Sequence, residues 1–262
     1  MHAQADLGAR RGSDCTPEPT SGGLTVVIPA YNEAGNLDSL VRNLIDELGS
    51  VADFEILIVD DGSLDATGQI ADRLAVSLPR VRAFHHPVNV GYGGALKTGF
   101  RAAEKEWIAA IPADHQFDVR DLKQLLRAGA AVDIVTSYRL GRKDNWRRRL
   151  ISRLYNEYVS RRFGLHYRDL NWVKMFRRQV VRDIEIETCG FSVDLEILLK
   201  ARYFGWRVAE VPVDHYPRAC GTSTTTNIRS FYRTARELLR INAMNARLQA
   251  GAGNRRECPG PP

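Results

Sequence analysis

The chain has 262 residues, 44% hydrophobic and 26% charged, with a net charge of +6. This is the composition of an ordinary soluble globular protein, long enough for one large domain or two small ones with a substantial core. No apolar run reaches the ~18–20 residues of a transmembrane helix, and no apolar leader opens the chain.

The cysteines, Cys15, Cys189, Cys220 and Cys258, lack CxxC spacing. That argues against a zinc site or disulfide framework and fits a reducing, cytoplasmic setting. Residues 1–22 are poor in large apolar groups and rich in Gly, Ser, Thr and Pro. The stretch 250–262 reads similarly, so both ends are expected to be disordered tails around a single domain at 23–249.

Short β-branched runs then alternate with helical patterns. Val26–Pro29 and Ile56–Val59 are apolar strands, and between them Leu37, Leu40, Val41, Leu44, Ile45 and Leu48 mark an amphipathic helix. A second helical pattern carries Ile70, Leu74 and Leu78. A strand follows near Val81–Phe84, then a helix from about Gly93 to Ala103, a strand at Trp107–Ile111, a helix over Val119–Leu126 and a strand at Ile134–Ser137. This alternation with short connections specifies an α/β fold, a Rossmann-like, mostly parallel sheet with helices on both faces.

Beyond it, a cationic helix spans roughly Arg147–Phe163, with Leu150, Ile151, Leu154, Tyr155, Tyr158 and Val159 on one face. A helix over Val193–Phe204, a strand at Arg207–Val213 and a helix from about Ile228 to Leu248 complete the chain. The segment Arg139–Arg178 holds 13 Lys/Arg against three acidic residues, a net +10 that leaves −4 for the remainder. Such a patch seeks phosphate, an anionic lipid surface or nucleic acid, or is a solvated helix face.

Ligands of parallel sheets sit at the carboxyl ends of the strands, and the polar motifs fall there. VVIPAYNE (26–33) ends a strand at Pro29. ILIVDDGSLDAT (56–67) stops an apolar strand at Asp60–Asp61–Gly62–Ser63. Adjacent carboxylates after a buried strand are costly unless they bind something, and an Asp there can accept from a base N–H or a ribose hydroxyl. Helix capping by Ser63 or Asp65 would explain one residue of the group, not the pair.

HHPVNVGYGGALKTG (85–99) fits neither a dinucleotide fingerprint, since position 96 is Leu, nor a P-loop, since Leu96 precedes Lys97–Thr98. Its glycines instead allow a helix N-terminus to pack close to the sheet beside a ligand. In IPADHQFD (111–118), Asp114 and Gln116 stand at i and i+2, where a divalent cation could be held against a pyrophosphate.

Taken together these motifs resemble the family 2 glycosyltransferases of GT-A fold, and within them the polyprenyl-phosphate sugar synthases of the dolichyl-phosphate mannose synthase type. The resemblance covers roughly residues 24–240 and rests on VVIPAYNE, the strand with DDGS, and NVGYGGAL in this order. It implies that Pro29, Tyr31, Glu33, Asp60, Asp61 and Ala113 hold the nucleotide sugar, with Asp114 touching it. Asp114 and Gln116 would form the metal element, usually Asp-Ala-Asp-x-Gln, here lacking its first carboxylate because position 112 is Pro. Arg139 would match an arginine following the next strand, and with Arg148 and Ser152 would grip the acceptor phosphate. Arg218, Gly221 and Ser223 match a late Arg-x-x-Gly-x-Ser that closes over the donor.

The implied reaction transfers a hexose or N-acetylhexosamine, with inversion, from a UDP- or GDP-sugar to a phosphate acceptor, polyprenyl phosphate first, with Mg²⁺ or Mn²⁺ as cofactor. A lipid phosphate is already anionic and needs no strong base; a hydroxyl acceptor would need one, and Asp194 or Glu196 is the candidate. Catalytic roles thus fall on Asp114, Arg139, Arg148 and Asp194.

The basic helix, with Trp146, Tyr155 and Tyr158, suits peripheral contact with the cytoplasmic membrane face. Two other readings stay open: a soluble glycosyltransferase acting on a small-molecule acceptor, and a non-catalytic nucleotide-sugar binder. No RRM, KH or helix-turn-helix signature supports nucleic-acid binding. Sugar and base are not legible, and self-association into a homo-oligomer stays open.

Overall fold

The computed structural model describes residues 22–49, 53–141, 146–217 and 228–255, and of 147, 148, 228–233 and 251–255 the backbone alone. The expected tails at 1–22 and 250–262 lie largely outside the described residues.

A fully apolar strand can be stable only where both faces of the sheet are covered. β1 (Leu24–Ala30) and β2 (Phe54–Asp60) meet that condition as interior strands of a seven-stranded sheet ordered β3-β2-β1-β4-β6-β5-β7. Leu24, Val26, Ile28, Ile56 and Ile58 enter one core with the helices α1 (Leu37–Leu48), α2 (Thr67–Ser77) and α4 (Asp121–Gly129). Val27, Leu57 and Val59 enter the other, with α3 (Tyr92–Ala102), α5 (Trp146–Phe163), α6 (Arg178–Asp183), α7 (Val193–Phe204) and α8 (Ile228–Arg255). Side-chain alternation at period two thus fills both layers.

β3 (Val81–His85) and β4 (Trp107–Ala110) complete a parallel half around β1 and β2. Register sets the levels of the strand ends: Ala30 lies beside Asp60 and Asp60 beside His85, whereas β4 ends opposite Val27. The loop after β4 therefore leaves the sheet about three residues deeper than the loop after β1.

The second half departs from the sequence pattern at β6 (Lys174–Arg177), a four-residue strand antiparallel to both β4 and β5 (Ile134–Leu140). Its Lys-Met-Phe-Arg shows no apolar run, and Lys174 is buried only because Asp194 and two carbonyls receive it. β7 (Val208–Asp214) pairs parallel to β5 at the far edge. Among the limits that shift from expectation, β5 runs on to Leu140, α8 runs to Arg255, and α4, which ends at Gly129, begins at Asp121. The last follows because Asp118 Oδ1 accepts from Arg120 N at 3.0 Å, turning the chain before the helix.

α5 does not bury the face that its periodicity marks. Val159 and Phe163 pack into the core, but Trp146, Leu150, Ile151 and Leu154 are 64%, 48%, 63% and 62% exposed. Among the described residues no helix is long and apolar enough to cross a membrane.

Candidate active site

The loops after β1 and β2 are stitched together by their own polar groups. Asn32 adopts φ 56°, a left-handed conformation that Asn tolerates. Its N–H donates to Ser63 Oγ at 3.0 Å and its Oδ1 accepts from Leu64 N at 2.8 Å. Glu33 N donates to Thr67 Oγ1 at 2.8 Å, and Ala34 N to Asp65 Oδ2 at 3.2 Å. Asp65 also accepts from Thr67 N, the first residue of α2, so capping does explain Asp65. Pro29 and Tyr31 are half-buried beside this seam.

Capping does not explain the neighbouring pair. Asp60 is buried; one oxygen accepts from Ser63 N at 3.0 Å and the other lies 3.1 Å from His85 Nδ1. His85 Nε2 reaches Asp72 at 2.9 Å. Burial pulls the His85 pKa down, but hydrogen bonds accepted by Asp60 and Asp72, with their charges, outweigh it and raise it.

Asp61, also buried, accepts from Val90 N at 3.0 Å and Gly91 N at 2.8 Å, with His86 Nδ1 at 2.7 Å. His86 Nε2 contacts Thr98 Oγ1 at 2.9 Å. Asp61 is therefore the strut of the glycine-rich loop. At Gly62, with φ +70°, a Cβ would lie 2.5 Å from Val88 C, so this loop can close onto the Asp pair only over a glycine.

The glycines of 91–99 serve packing on two sides. A Cβ at Gly99 would lie 2.3 Å from Val27 Cγ1, so α3 approaches the sheet closely there. The N–H groups of Gly93 and Gly94 both donate to Cys189 O, at 2.9 and 3.3 Å. The N-terminus of α3 thus holds the 187–192 segment.

In the loop after β4, Ala113 and Asp114 are buried, and Asp114 Oδ1 accepts from Gln116 N at 3.1 Å. His115 between them has φ 58°, and its Nε2 lies 2.9 Å from Ser39 Oγ and 3.1 Å from Asn36 O. That anchorage ties the turn to the start of α1. Gln116 O accepts from Tyr216 N at 3.2 Å, and Gln116 Nε2 lies 3.4 Å from His215 Nε2. Among the described residues no three His, Cys, Asp or Glu side chains converge as a metal cluster. A carboxylate and a side-chain amide are donors that a hard divalent cation accepts, completed by phosphate oxygens.

Arg139 stands inside β5, opposite Val213, not after the strand. Its Nε and Nη2 hold Asp169 at 2.6 and 3.1 Å, and its guanidinium lies 4.5 Å over the Trp172 ring. Trp172 in turn meets His215 edge-on, ring centroids 5.4 Å apart. Ser152 is half-buried on α5. Arg148 lies in α5 with its side chain outside the described residues, and Arg218, Gly221 and Ser223 are outside them altogether.

Asp194 is buried against Lys174 Nζ at 3.2 Å. Burial raises its pKa, and the lysine only partly offsets that. Glu196 is buried and accepts from Glu187 N, Thr188 N, Thr188 Oγ1 and Lys200 Nζ. It is a structural ligand of that turn, which removes it as a candidate base. The histidines 85, 86 and 215 and the Lys174–Asp194 pair are not legible as site components, because their partners lie 12 to 99 residues away. The His-His-Pro after a strand was the one available signal.

A family model described as glycosyl transferase family 2 matches residues 25–185. Glycosyltransferase AglD of Haloferax volcanii is 35% identical over 231 residues, 83% of this chain but only 36% of AglD. Polyprenol monophosphomannose synthase of Mycolicibacterium smegmatis is 32% identical over 230 residues, 82% of this chain and 85% of that one. Among solved structures, glucosyl-3-phosphoglycerate synthase from Mycobacterium tuberculosis, in complex with Mn²⁺, UDP and phosphoglyceric acid, superposes with a TM-score of 0.62 at 19% identity. It covers 92% of this chain and 80% of its own, a likeness of GT-A fold.

Proposed function

Because the chain belongs to glycosyl transferase family 2, we propose that it transfers a hexosyl or N-acetylhexosaminyl group, with inversion, from a nucleoside diphosphate sugar to a polyprenyl phosphate. The observation that carries the lipid acceptor is α5: exposed Trp146, Leu150, Ile151 and Leu154 share a helix with exposed Arg149 and Arg153. An apolar stripe flanked by arginines lies stably in the headgroup region of an anionic membrane. The name of the Mycolicibacterium smegmatis relative, a polyprenol monophosphomannose synthase, supports the same reading.

The residues divide as follows. Pro29, Tyr31 and Glu33, on the seam made by Asn32 and Ser63, with Asp60, Asp61 and Ala113, line the nucleotide end. Arg218 and Ser223 are assigned to the donor by the motif Arg-x-x-Gly-x-Ser alone. A Mg²⁺ or Mn²⁺ ion held by Asp114 and Gln116 would neutralise charge on the departing diphosphate. Arg139, oriented by Asp169 and Trp172, presents positive charge to the acceptor phosphate together with Arg148 and Ser152. A phosphate monoester is already anionic at neutral pH, so attack needs alignment more than a base. Asp194, buried on Lys174, is accordingly assigned a positioning role through that lysine. On this reading the reaction takes place at the cytoplasmic membrane face.

The test is transfer of labelled sugar from a panel of UDP- and GDP-sugars to polyprenyl phosphate in anionic vesicles, with Mn²⁺ or Mg²⁺. Lipid-linked product is expected, with vesicle sedimentation at low salt that is lost at high salt. Turnover on water-soluble acceptors alone, with no sedimentation at any salt, would replace the lipid reading with the small-molecule one. In D114A, transfer should fall by about 10²–10³-fold or more.

A further inference from the structure

β2 and β3 run parallel with Asp60 and His85 as register partners, so the two residues leave the sheet side by side. His85 meets a carboxylate at each end of its ring. Its Nδ1 lies 3.1 Å from Asp60 Oδ2, and its Nε2 lies 2.9 Å from Asp72 Oδ1 on α2. An ionised carboxylate can only accept, so both ring nitrogens must donate, and the ring that does so is the imidazolium. His86 makes no such demand, because Thr98 Oγ1 beside its second nitrogen can itself donate. The charged groups facing His85 are Asp60 from β2 and Asp72 from α2; Asp61 is turned to His86, Val90 N and Gly91 N. Burial lowers the His85 pKa, but its bonds to Asp60 and Asp72 and their charges hold it above the usual histidine value.

The grip selects one orientation of Asp60. Oδ1 takes Ser63 N and Oδ2 takes His85, which leaves a lone pair on each oxygen for a ligand. α2 closes a further side, since a Cβ at Gly68 would lie 2.8 Å from Asp60 Oδ2. Asp72, with a side chain 65% exposed, braces the ring from the solvent side.

We propose that His85 is a positioning residue of the nucleotide end, a clamp braced on Asp72 that holds Asp60 in the orientation in which it accepts from the nucleoside. This role rests on the reading of Asp60 as a nucleotide contact. It carries a pH dependence whose sign is fixed. Below the His85 pKa of the folded protein both nitrogens donate and the clamp is complete. As pH rises through that value the ring keeps one proton, serves one carboxylate only, and the brace is lost. Nucleotide affinity therefore falls with rising pH.

The experiment is calorimetric titration of UDP and of GDP, with Mg²⁺ present, between about pH 6.5 and 8.5, on wild type, H85A, H85N, D72N and D60N. H85A is expected to weaken the nucleotide that binds by about 10-fold at the low-pH end. H85N places a neutral amide donor near the Nδ1 position, so it should recover part of that loss and show no fall of its own. The ratio of wild-type to H85N affinity, in which the ligand's own ionisation cancels, should decline as pH rises. D72N should keep most of the low-pH affinity and bring the decline to lower pH. The His85 ring resonances, assigned by their absence in H85N, should titrate above the usual histidine value and move down in D72N. Wild-type affinity and pH profile in folded H85A, while D60N abolishes binding, would overturn the clamp. So would a loss in H85A that H85N does not relieve, with a pH-independent ratio, since that is the mark of a merely structural histidine. Undiminished binding in D60N would instead overturn Asp60 as a nucleotide contact.

Discussion

Asp61 separates a strut from a ligand, and its replacement can be worked out in advance. Its carboxylate is buried and receives Val90 N, Gly91 N and His86. In D61A the Gly91 N–H, itself buried, loses its acceptor, at about 1–3 kcal/mol. Val90 N is half-buried, so water replaces part of its bond and the loss is about 0.5–1 kcal/mol. With the bond from His86, the sum is about 2–5 kcal/mol. For a domain of this size that lowers the melting temperature by on the order of 10 °C. Differential scanning calorimetry measures it, and nucleotide titration on the same samples should show affinity falling, because the 85–91 loop is released. A D61A melting point within about 2 °C of wild type would refute the strut. Asp61 would then have to act on the nucleotide alone.

Asp121 tests the pH dependence. Burial first, then the charges of Asp118 and Asp214, push its pKa up to about 6. A raised carboxyl pKa means the folded state holds the proton more tightly. The penalty is therefore absent below the unfolded pKa, near 4, and grows through about pH 6. Discounted for partial exposure, it is about 1–2 kcal/mol at pH 7, so D121N should stabilise by that amount at pH 7 and not at pH 4, by urea unfolding at both. Lys174 and Asp194 form a buried pair, so K174M should cost about 3–5 kcal/mol in denaturant unfolding. Adding D194N should recover a sizeable share of that loss, since the stranded charge is gone. G99A should destabilise by about 1–3 kcal/mol, because its Cβ would lie 2.3 Å from Val27 Cγ1; an unchanged unfolding midpoint would show that α3 can move off the sheet.

What sequence alone determined here was local. Leu37 through Leu48 could only be an amphipathic helix, and VVIPA and EILIVD only strands covered on both sides, because period and apolar count are carried by neighbouring residues. The motifs at their ends marked the candidate site for the same reason. β6 escaped, since Lys-Met-Phe-Arg becomes a strand only through β4 and β5 and a buried lysine only through Asp194. Tertiary structure alone decided that Asp61 braces a loop, that Glu196 serves a turn, and that β7 brings His215 to Gln116 across 99 positions. A side chain's role depends on the partner it finds, and partners distant in sequence are chosen by sheet order and register, which no local pattern encodes.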